Sequence, residues 1–435
     1  MTAQHPQKSA SNVHAKASVA AVLRRFGADY LAQPNRQKLS TAQAKAWRAI
    51  VACRTAALGG HQLSCDHCGH QRVLFHSCRN RHCPQCGMRA RDRWLQARMA
   101  EVLPVPYAHL VFTLPHALNR LYGAHPHWVI DTLFASSAAT LTEFAANARW
   151  LGGMPAFTTV LHTWTQDLRL HLHVHVVMAC GALDAHGQWQ QPKRTPTFLF
   201  PVTALSKVFR GKFIAALVAA RAHAVLPRDP QGRSELDWQQ RQQKLYQHAW
   251  VVYAKTPLGG PAEVLSYLSR YTHRTAISND RLVRVDAEKV WLKVRDQGQQ
   301  GHVGEGQTQR KKARKRVIKL DGVEFIRRFL LHVLPKGIKR VRHYGVLAPA
   351  RKRTTLARAR LALKMPEPSP AALECAQAFM QRVAQIDIAQ CPCCAPGRMQ
   401  IIAVMLGLKR LADPRQTIAI AATARGPPSA TMAVK

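Results

Sequence analysis

Alternation of apolar and polar side chains is strongest between residues 170 and 178, where the chain reads LHLHVHVVM. Such alternation in a stretch rich in Val and Leu predicts a β-strand, in which residues i, i+2 and i+4 point to one face of the sheet. The pattern directs His171, His173 and His175 to the same face. One histidine on an apolar strand is usually a satisfied core residue, but three on one face are difficult to satisfy without a shared partner.

Other stretches have the periodicity of a second strand and of several helices. Residues 109–115, HLVFTLP, predict a buried strand that ends at its proline. Helical periodicity is present in residues 19–31 and in residues 89–103, RARDRWLQARMAEVL. A Gly-Gly break followed by proline predicts the start of another helix in residues 259–274, GGPAEVLSYLSRYTHR.

The charge balance is strongly basic. The 435 residues contain 63 Lys and Arg against 23 Asp and Glu, which gives a formal net charge of +40. A field of this size attracts polyanions, and nucleic acid is the first candidate. An anionic membrane is the alternative, but no window has the about 18 uninterrupted apolar residues of a membrane span. The apolar run ASVAAVL also continues directly into arginines and does not form a secretory core. We therefore expect a cytoplasmic protein with no membrane partner.

The eleven cysteines are clustered. Cys65-x2-Cys68 and Cys83-x2-Cys86 are separated by 14 residues, a spacing typical of four thiolates that bind one structural Zn²⁺. An odd total in a long chain without an export signal disfavours a disulfide framework. The CPCC at residues 391–394 is a weak metal signal, because no second Cys-x2-Cys pair, or knuckle, is near it in the sequence.

A second candidate set in the same region consists of Cys53, His61, Cys78 and His82. These side chains could bind another ion, or they could be ordinary core residues, since buried cysteine is often a small hydrophobe. Arginines are frequent around both sets. A zinc-stiffened basic loop next to a basic helix favours phosphate binding, although such a charge run is often a solvated surface.

The alternating histidines fit a metal site. Two imidazoles two residues apart on one strand face can bind a divalent ion and leave positions open for phosphate oxygens. We predict that His173 and His175 bind this ion. His171 is a third ligand, a phosphate contact or neither, and Gln166 and Asp167 just upstream are other candidates for the third position.

Tyr267 and Tyr271 lie at i and i+4 of the last predicted helix, so their rings share one face. Aromatic residues at this spacing usually extend a core, but Arg270, His273 and Arg274 surround these two with basic groups. Such groups suit a phosphate better than a dry core. We therefore predict that the tyrosines are nucleophiles and that the three basic residues bind phosphate and favour the phenolate.

Six sequence blocks occur in one order between about residue 45 and residue 348. They are CRTAALGGH, SCRNRHCPQC, LPVPYAHLVFTLPH, LHTWTQDLRLHLHVHVV, YLSRYTHRTAISNDRL and FIRRFLLHVLPKGIKRVRHYGVLA. Together they resemble the HUH transposases of the insertion sequence 91 family. In this resemblance His173-Val174-His175 matches the metal-binding His-hydrophobic-His motif, and Tyr267 and Tyr271 match the paired catalytic tyrosines.

The resemblance implies an α+β fold in which a zinc-binding N-terminal module precedes an HUH nuclease domain, an antiparallel sheet flanked by helices. We expect an N-terminal arm and helix at residues 1–45, the zinc-binding domain at 46–100 and the HUH domain at 101–348. Residues 349–435, rich in Ala, Arg and Pro, are expected to form a basic, partly disordered tail.

The resemblance also implies the chemistry. Mg²⁺ or Mn²⁺ held by His173 and His175 would polarise a phosphate of single-stranded DNA. Attack by a tyrosine would give a 5′-phosphotyrosine, and a later hydroxyl attack would rejoin strands in rolling-circle-like transposition. The family's catalytic domain further implies that Lys293 and the basic block at residues 310–316 lie near DNA.

Two other functions fit parts of the sequence. Residues 171–177 also match the His-φ-His-φ-His-φ-φ pattern of histidine-triad nucleotide hydrolases, in which a histidine is the nucleophile and no metal is needed. That family has no need of a zinc module, paired tyrosines or this charge. A third function is that of an inactive zinc DNA-binding regulator derived from a mobile element. The oligomeric state is left open.

Overall fold

The computed structural model describes residues 17–34, 38–194, 199–226, 235–258, 263–264, 275–295, 315–366 and 374–408. The α-helices are α1 (Val19–Arg25), α2 (Gly27–Ala32), α3 (Thr41–Ala52), α4 (Met88–Met99), α5 (Asn119–Ala124), α6 (Pro126–Ala146), α7 (Val202–Ala222), α8 (Glu235–Gln247), α9 (Gly322–Leu330), α10 (Lys352–Ala362) and α11 (Ala376–Ala384). The strands are β1 (Gly60–Cys65), β2 (Gln71–Phe75), β3 (Tyr107–Thr113), β4 (Met154–Trp164), β5 (Leu170–Leu183), β6 (Trp189–Gln190), β7 (Val252–Leu258), β8 (Leu282–Val285), β9 (Lys289–Arg295), β10 (Lys315–Asp321), β11 (Val341–Gly345) and β12 (Met399–Met405). These helices and antiparallel sheets confirm the α+β class. In the described part of the chain, no helix is long and apolar enough to cross a membrane.

Two compact units divide the chain. The first contains the residues up to Val51 and Arg79–Phe379, and the second contains Ala52–Cys78 and the chain from Met380 on. This division differs from boundaries drawn along the sequence at residues 46, 101 and 349. The difference arises because the second unit is assembled from two segments that are distant in sequence.

A six-stranded antiparallel sheet lies at the centre of the first unit. Its order is β11-β4-β5-β3-β7, and the short β6 pairs with β5. The long strands β4 and β5 pair with each other and are joined by residues 165–169. The strand predicted from alternating histidines is β5 and the predicted buried strand is β3, so both predictions are confirmed.

The two faces of this sheet have different neighbours. Val174 and Val176 of β5 are in the main hydrophobic core, together with residues of α6 and α7. Val177 belongs to a separate cluster that includes residues of α10. Because His173 and His175 precede Val177 at two-residue intervals, they lie on the face of that second cluster.

A small sheet of β8, β9 and β10 also belongs to the first unit. Val290 and Leu292 of β9 are buried on one of its faces, and α1 and α9 contact the sheet. Lys293 alternates with these residues and is exposed on the opposite face.

The second unit is built around a three-stranded sheet in which β1 lies between β2 and β12. The register pairs Gly60 with Met405 and Cys65 with Met399. Residues 399–405 therefore form a strand within the segment that we expected to be a partly disordered tail. The physical reason is that its backbone groups are paired with those of β1.

Candidate functional site

Three histidines converge on the central sheet. His162 of β4 is the direct partner of His173 of β5, and His175 follows two residues later on the same face. One ring nitrogen from each of the three lies within 4.8 Å of the others. Strand register, and not sequence proximity, is what adds His162 to the two histidines of β5.

Hydrogen bonds orient these rings. The Nδ1 of His173 lies 2.9 Å from the backbone carbonyl oxygen of His171, so a neutral ring that donates there keeps its lone pair on Nε2. The Nδ1 of His175 lies 3.0 Å from the Nε2 of His109 on β3. A second hydrogen-bonded ring of this kind fixes the orientation of a metal ligand.

Burial keeps His173 in the form that binds metal. His162 is 3% exposed and His175 is 9% exposed. Burial lowers the pKa of His173 to about 4, with a smaller contribution from His171, so the imidazole is neutral at physiological pH. Neutral imidazole is the form that coordinates a metal ion.

Aromatic packing supports His162 from the side. Its ring stacks on Trp164 at a centroid distance of 4.6 Å, and Arg340 lies over the Trp164 ring at 5.2 Å. The ring centroid of His332 is 5.9 Å from that of Trp164. These contacts limit the rotamers that His162 can adopt.

Two other candidates for the third ligand, His171 and Asp167, lie outside this group. The ring centroid of His171 is 5.0 Å from that of His173 and 5.3 Å from that of His116. Asp167 forms an ion pair with Arg169 at 2.6 Å. The backbone carbonyl of Gln166 accepts a hydrogen bond from Arg281. His162 was missed because its place depends on the pairing of two strands.

The predicted nucleophiles and their basic neighbours fall outside the described residues. They are Tyr267, Tyr271, Arg270, His273 and Arg274. Val264, three residues before Tyr267, is described, and it is fully buried in the same cluster as Val177 of β5.

The predicted zinc set is divided in the structure. The Sγ atoms of Cys65 and Cys68 group with those of Cys391 and Cys394, all within 4.8 Å of one another. Cys83 and Cys86 belong to the first unit, whereas this group is entirely in the second. A single site built from the four N-terminal thiols is therefore not what the structure shows. The physical reason is that β12 pairs with β1 and brings the C-terminal CPCC to the first knuckle.

The second candidate set is also divided. In the second unit, the backbone N–H of Cys78 donates to Cys53 Sγ at 3.4 Å, and the ring of His61 packs edge-on against that of His76. His82 belongs to the first unit, where burial, with smaller contributions from nearby cationic groups, lowers its pKa to about 3. Neither His61 nor His82 is part of a group of close metal-binding side chains among the described residues.

Comparison with known proteins identifies the family. The chain is 41% identical over 397 residues, 90% of its own length and 96% of the relative's, to "Putative transposase y4qJ" of Sinorhizobium fredii. The chain belongs to the insertion sequence 91 family of transposases. It is also 26% identical over 367 residues, 82% of this chain and 83% of the relative, to "Transposase for insertion sequence element IS801" of Pseudomonas savastanoi pv. phaseolicola. No solved structure matches the chain.

Two family models match separate segments of this transposase. One described as "Transposase zinc-binding domain" matches residues 22–114, and one described as "Putative transposase" matches residues 156–355. The second segment contains the three converging histidines and the two predicted catalytic tyrosines. Cys391 and Cys394 lie outside both matched segments.

Proposed function

We propose that this transposase cleaves and rejoins single-stranded DNA through a 5′-phosphotyrosine intermediate. Tyr267 and Tyr271 are the proposed nucleophiles, and His162, His173 and His175 the proposed ligands of a divalent ion. The convergence of these three imidazoles on one face of an antiparallel sheet is the observation that carries the proposal.

The position of Val264 supports the role of the tyrosines. Val264 is buried in the cluster that contains Val177, on the sheet face that also carries His175. Tyr267 and Tyr271 follow Val264 by three and seven residues, which in a continuing helix keeps all three side chains on one side. The helix predicted from the sequence for residues 259–274 would then present the phenols to a phosphate bound on the histidine face.

The proposed reaction exchanges one phosphodiester oxygen for another. The phenolate oxygen of one tyrosine attacks phosphorus, the bond to the 3′ oxygen breaks, and that oxygen leaves as a 3′-hydroxyl after taking up a proton. The reverse attack by a DNA hydroxyl releases the tyrosine and rejoins the strands without ATP. Two tyrosines permit two successive strand transfers.

The protein has to lower the phenol pKa for this chemistry. An ordinary tyrosine has a pKa near 10, so little phenolate is present at neutral pH. We propose that Arg270, His273 and Arg274 stabilise the phenolate and the phosphate charge. A bound divalent ion would add Lewis-acid polarisation of the scissile phosphate.

The chemistry of the donor set bears on which metal binds. Mg²⁺ prefers carboxylate, phosphate and water oxygens in octahedral geometry, whereas imidazole nitrogens suit transition metals better. Three histidines and no carboxylate among the grouped side chains therefore favour Mn²⁺ over Mg²⁺.

The exposed face of the small sheet is the proposed surface for DNA around Lys293. Across β9 and β10, Trp291 is the partner of Lys319 and Arg295 is the partner of Lys315, with Lys293 between them. The Nζ of Lys319 lies 4.4 Å from the centroid of the Trp291 ring. Lysines and arginines around an aromatic ring are typical of surfaces that bind phosphates and stack bases.

We expect removal of three lysines from this face to weaken the salt dependence of DNA binding. The slope of log K against log salt is negative, and each lost phosphate contact reduces its magnitude by about 0.7 for single strands. We therefore expect a reduction of about 2 in the combined variant Lys293→Gln/Lys315→Gln/Lys319→Gln. The slope is measured by fluorescence anisotropy with a labelled oligonucleotide over a salt series. An unchanged slope would contradict the assignment. A matched control replaces three exposed lysines outside this face: Lys38, Lys244 and Lys364.

Covalent capture tests the proposed activity. The full-length protein is incubated with single-stranded DNA from the ends of its element, labelled 3′ of the expected nick, with Mn²⁺ or with a chelator. We expect a label that co-migrates with the protein on a denaturing gel in Mn²⁺ and is absent with the chelator. Tight DNA binding without any adduct would instead favour an inactive DNA-binding regulator.

A further inference from the structure

A third pair of cysteines with the Cys-x2-Cys spacing of a metal-binding knuckle lies near the end of the described chain. Cys391 and Cys394 have the same x2 spacing as Cys65 and Cys68, although 322 residues separate the two knuckles. The pairing of β12 with β1 places Met399 opposite Cys65 and closes this distance. Two short loops with paired thiols therefore face each other in the second unit.

The sulfur geometry matches a tetrahedral ion. The Sγ of Cys65 lies 3.6 Å from that of Cys394, and the Sγ of Cys68 lies 3.7 Å from that of Cys391. With Zn–S bonds of about 2.3 Å, a regular tetrahedron separates its sulfurs by about 3.8 Å. A disulfide would require about 2.05 Å, and all four thiols are free.

Backbone N–H groups donate to two of the four sulfurs. The N–H groups of His67 and Cys68 donate to Cys65 Sγ, and that of Cys393 donates to Cys391 Sγ, each at 3.4 Å. Such donors stabilise thiolates and orient ligands around a metal ion.

The absence of a side chain at Gly397 makes room for two of the sulfurs. A Cβ at this position would lie 2.3 Å from Cys65 Sγ and 2.6 Å from Cys394 Sγ. The backbone N–H of Cys391 donates to the carbonyl of Gly397 at 2.9 Å, so this loop cannot move away without losing a contact of the same knuckle. The chain is thus shaped around four converging thiols.

The hydrophobic core beside these sulfurs is small. Its buried members are Leu63, Cys65, Cys391 and Met399, and most of β12 is exposed. Small units with a core of this size usually need a metal or disulfides for stability. A bound ion would supply much of the folding free energy here.

We propose that Cys65, Cys68, Cys391 and Cys394 form a tetrathiolate zinc site that fastens the C-terminal segment to β1. Cys391 and Cys394 lie outside the segment matched by the zinc-binding family model, which ends at residue 114. The site makes the folding of residues 391–405 depend on the ion. It is independent of the proposed DNA cleavage.

Thiol protection in the full-length wild-type protein tests this site without any substitution. The protein is treated with N-ethylmaleimide before and after chelation of zinc, and the modified cysteines are identified by peptide mass spectrometry. We expect the four ligands to be protected together and to become reactive together. Cys375 and Cys393 are exposed and outside the group, so they are expected to react in both conditions. Reaction of Cys68 and Cys391 as fast as Cys393 before chelation would overturn the proposal.

Metal content gives a second, quantitative measurement. We expect the Cys391→Ser/Cys394→Ser variant to contain one zinc per chain fewer than wild type by elemental analysis. Gly397→Ala is expected to lose the same equivalent while keeping all four thiols. Cys393→Ser is the matched control within the same loop and keeps the wild-type content. Unchanged zinc in the double serine variant would contradict the site, whatever the effect on stability.

Discussion

The Tyr267→Phe/Tyr271→Phe variant is expected to form no covalent adduct with single-stranded DNA. Phenylalanine keeps each ring but lacks the oxygen that would bond to phosphorus. Loss of the nucleophile in a covalent enzyme can lower the rate by about a millionfold, so the adduct would fall below detection. The measurement is the denaturing gel of the capture assay, with wild-type protein in a parallel lane.

Single variants and a matched tyrosine complete this experiment. Tyr253→Phe is the control, because Tyr253 is an exposed residue of β7 outside the predicted helix. If the two tyrosines act in succession, one single variant keeps the first cleavage and loses rejoining. An adduct that persists in the double variant would contradict the tyrosine mechanism and favour a histidine nucleophile, as in histidine-triad hydrolases.

The His162→Ala variant is expected to lower metal-dependent cleavage by about a thousandfold. A metal ion at a phosphate contributes several kcal/mol to the transition state, and each 1.36 kcal/mol corresponds to a factor of about 10. Removal of one of three imidazoles weakens binding of the ion, so a high Mn²⁺ concentration is expected to restore part of the rate. The measurement is the initial rate of adduct formation over a Mn²⁺ titration.

Variants of two further histidines provide a control and an intermediate effect for comparison with His162→Ala. His171→Ala is the matched control, because His171 is on the same strand but outside the group of three. His109→Ala removes the hydrogen-bond partner of His175 and is expected to weaken metal affinity by about 10- to 100-fold. A His162→Ala protein that binds DNA normally and cleaves at the wild-type rate would exclude His162 as a ligand.

Local patterns in the sequence predicted the parts of the fold that depend on one element. Alternation identified β5, and the direction of His173 and His175 followed from the two-residue repeat of a strand. The blocks shared with the insertion sequence 91 family identified the transposase, and the comparisons confirm this.

Contacts between distant segments were not predicted. His162 lies near the end of β4 and His173 near the start of the next strand, and many registers of β4 on β5 are compatible with the same sequence. The thiols were assigned to the nearest knuckle along the chain, because Cys83 and Cys86 are much closer in sequence to Cys65 than Cys391 is. That assignment ignored a strand pairing that no local spacing encodes.

The sequence by itself determined the family, the basic charge, the strand that carries His173 and His175, and the two N-terminal Cys-x2-Cys pairs. The tertiary structure decided which partners these residues have: His162 for the histidines, and Cys391 and Cys394 for Cys65 and Cys68. The physical reason is that a local repeat sets where a side chain points on its own element. Which elements pair depends on burial and backbone hydrogen bonding over the whole chain.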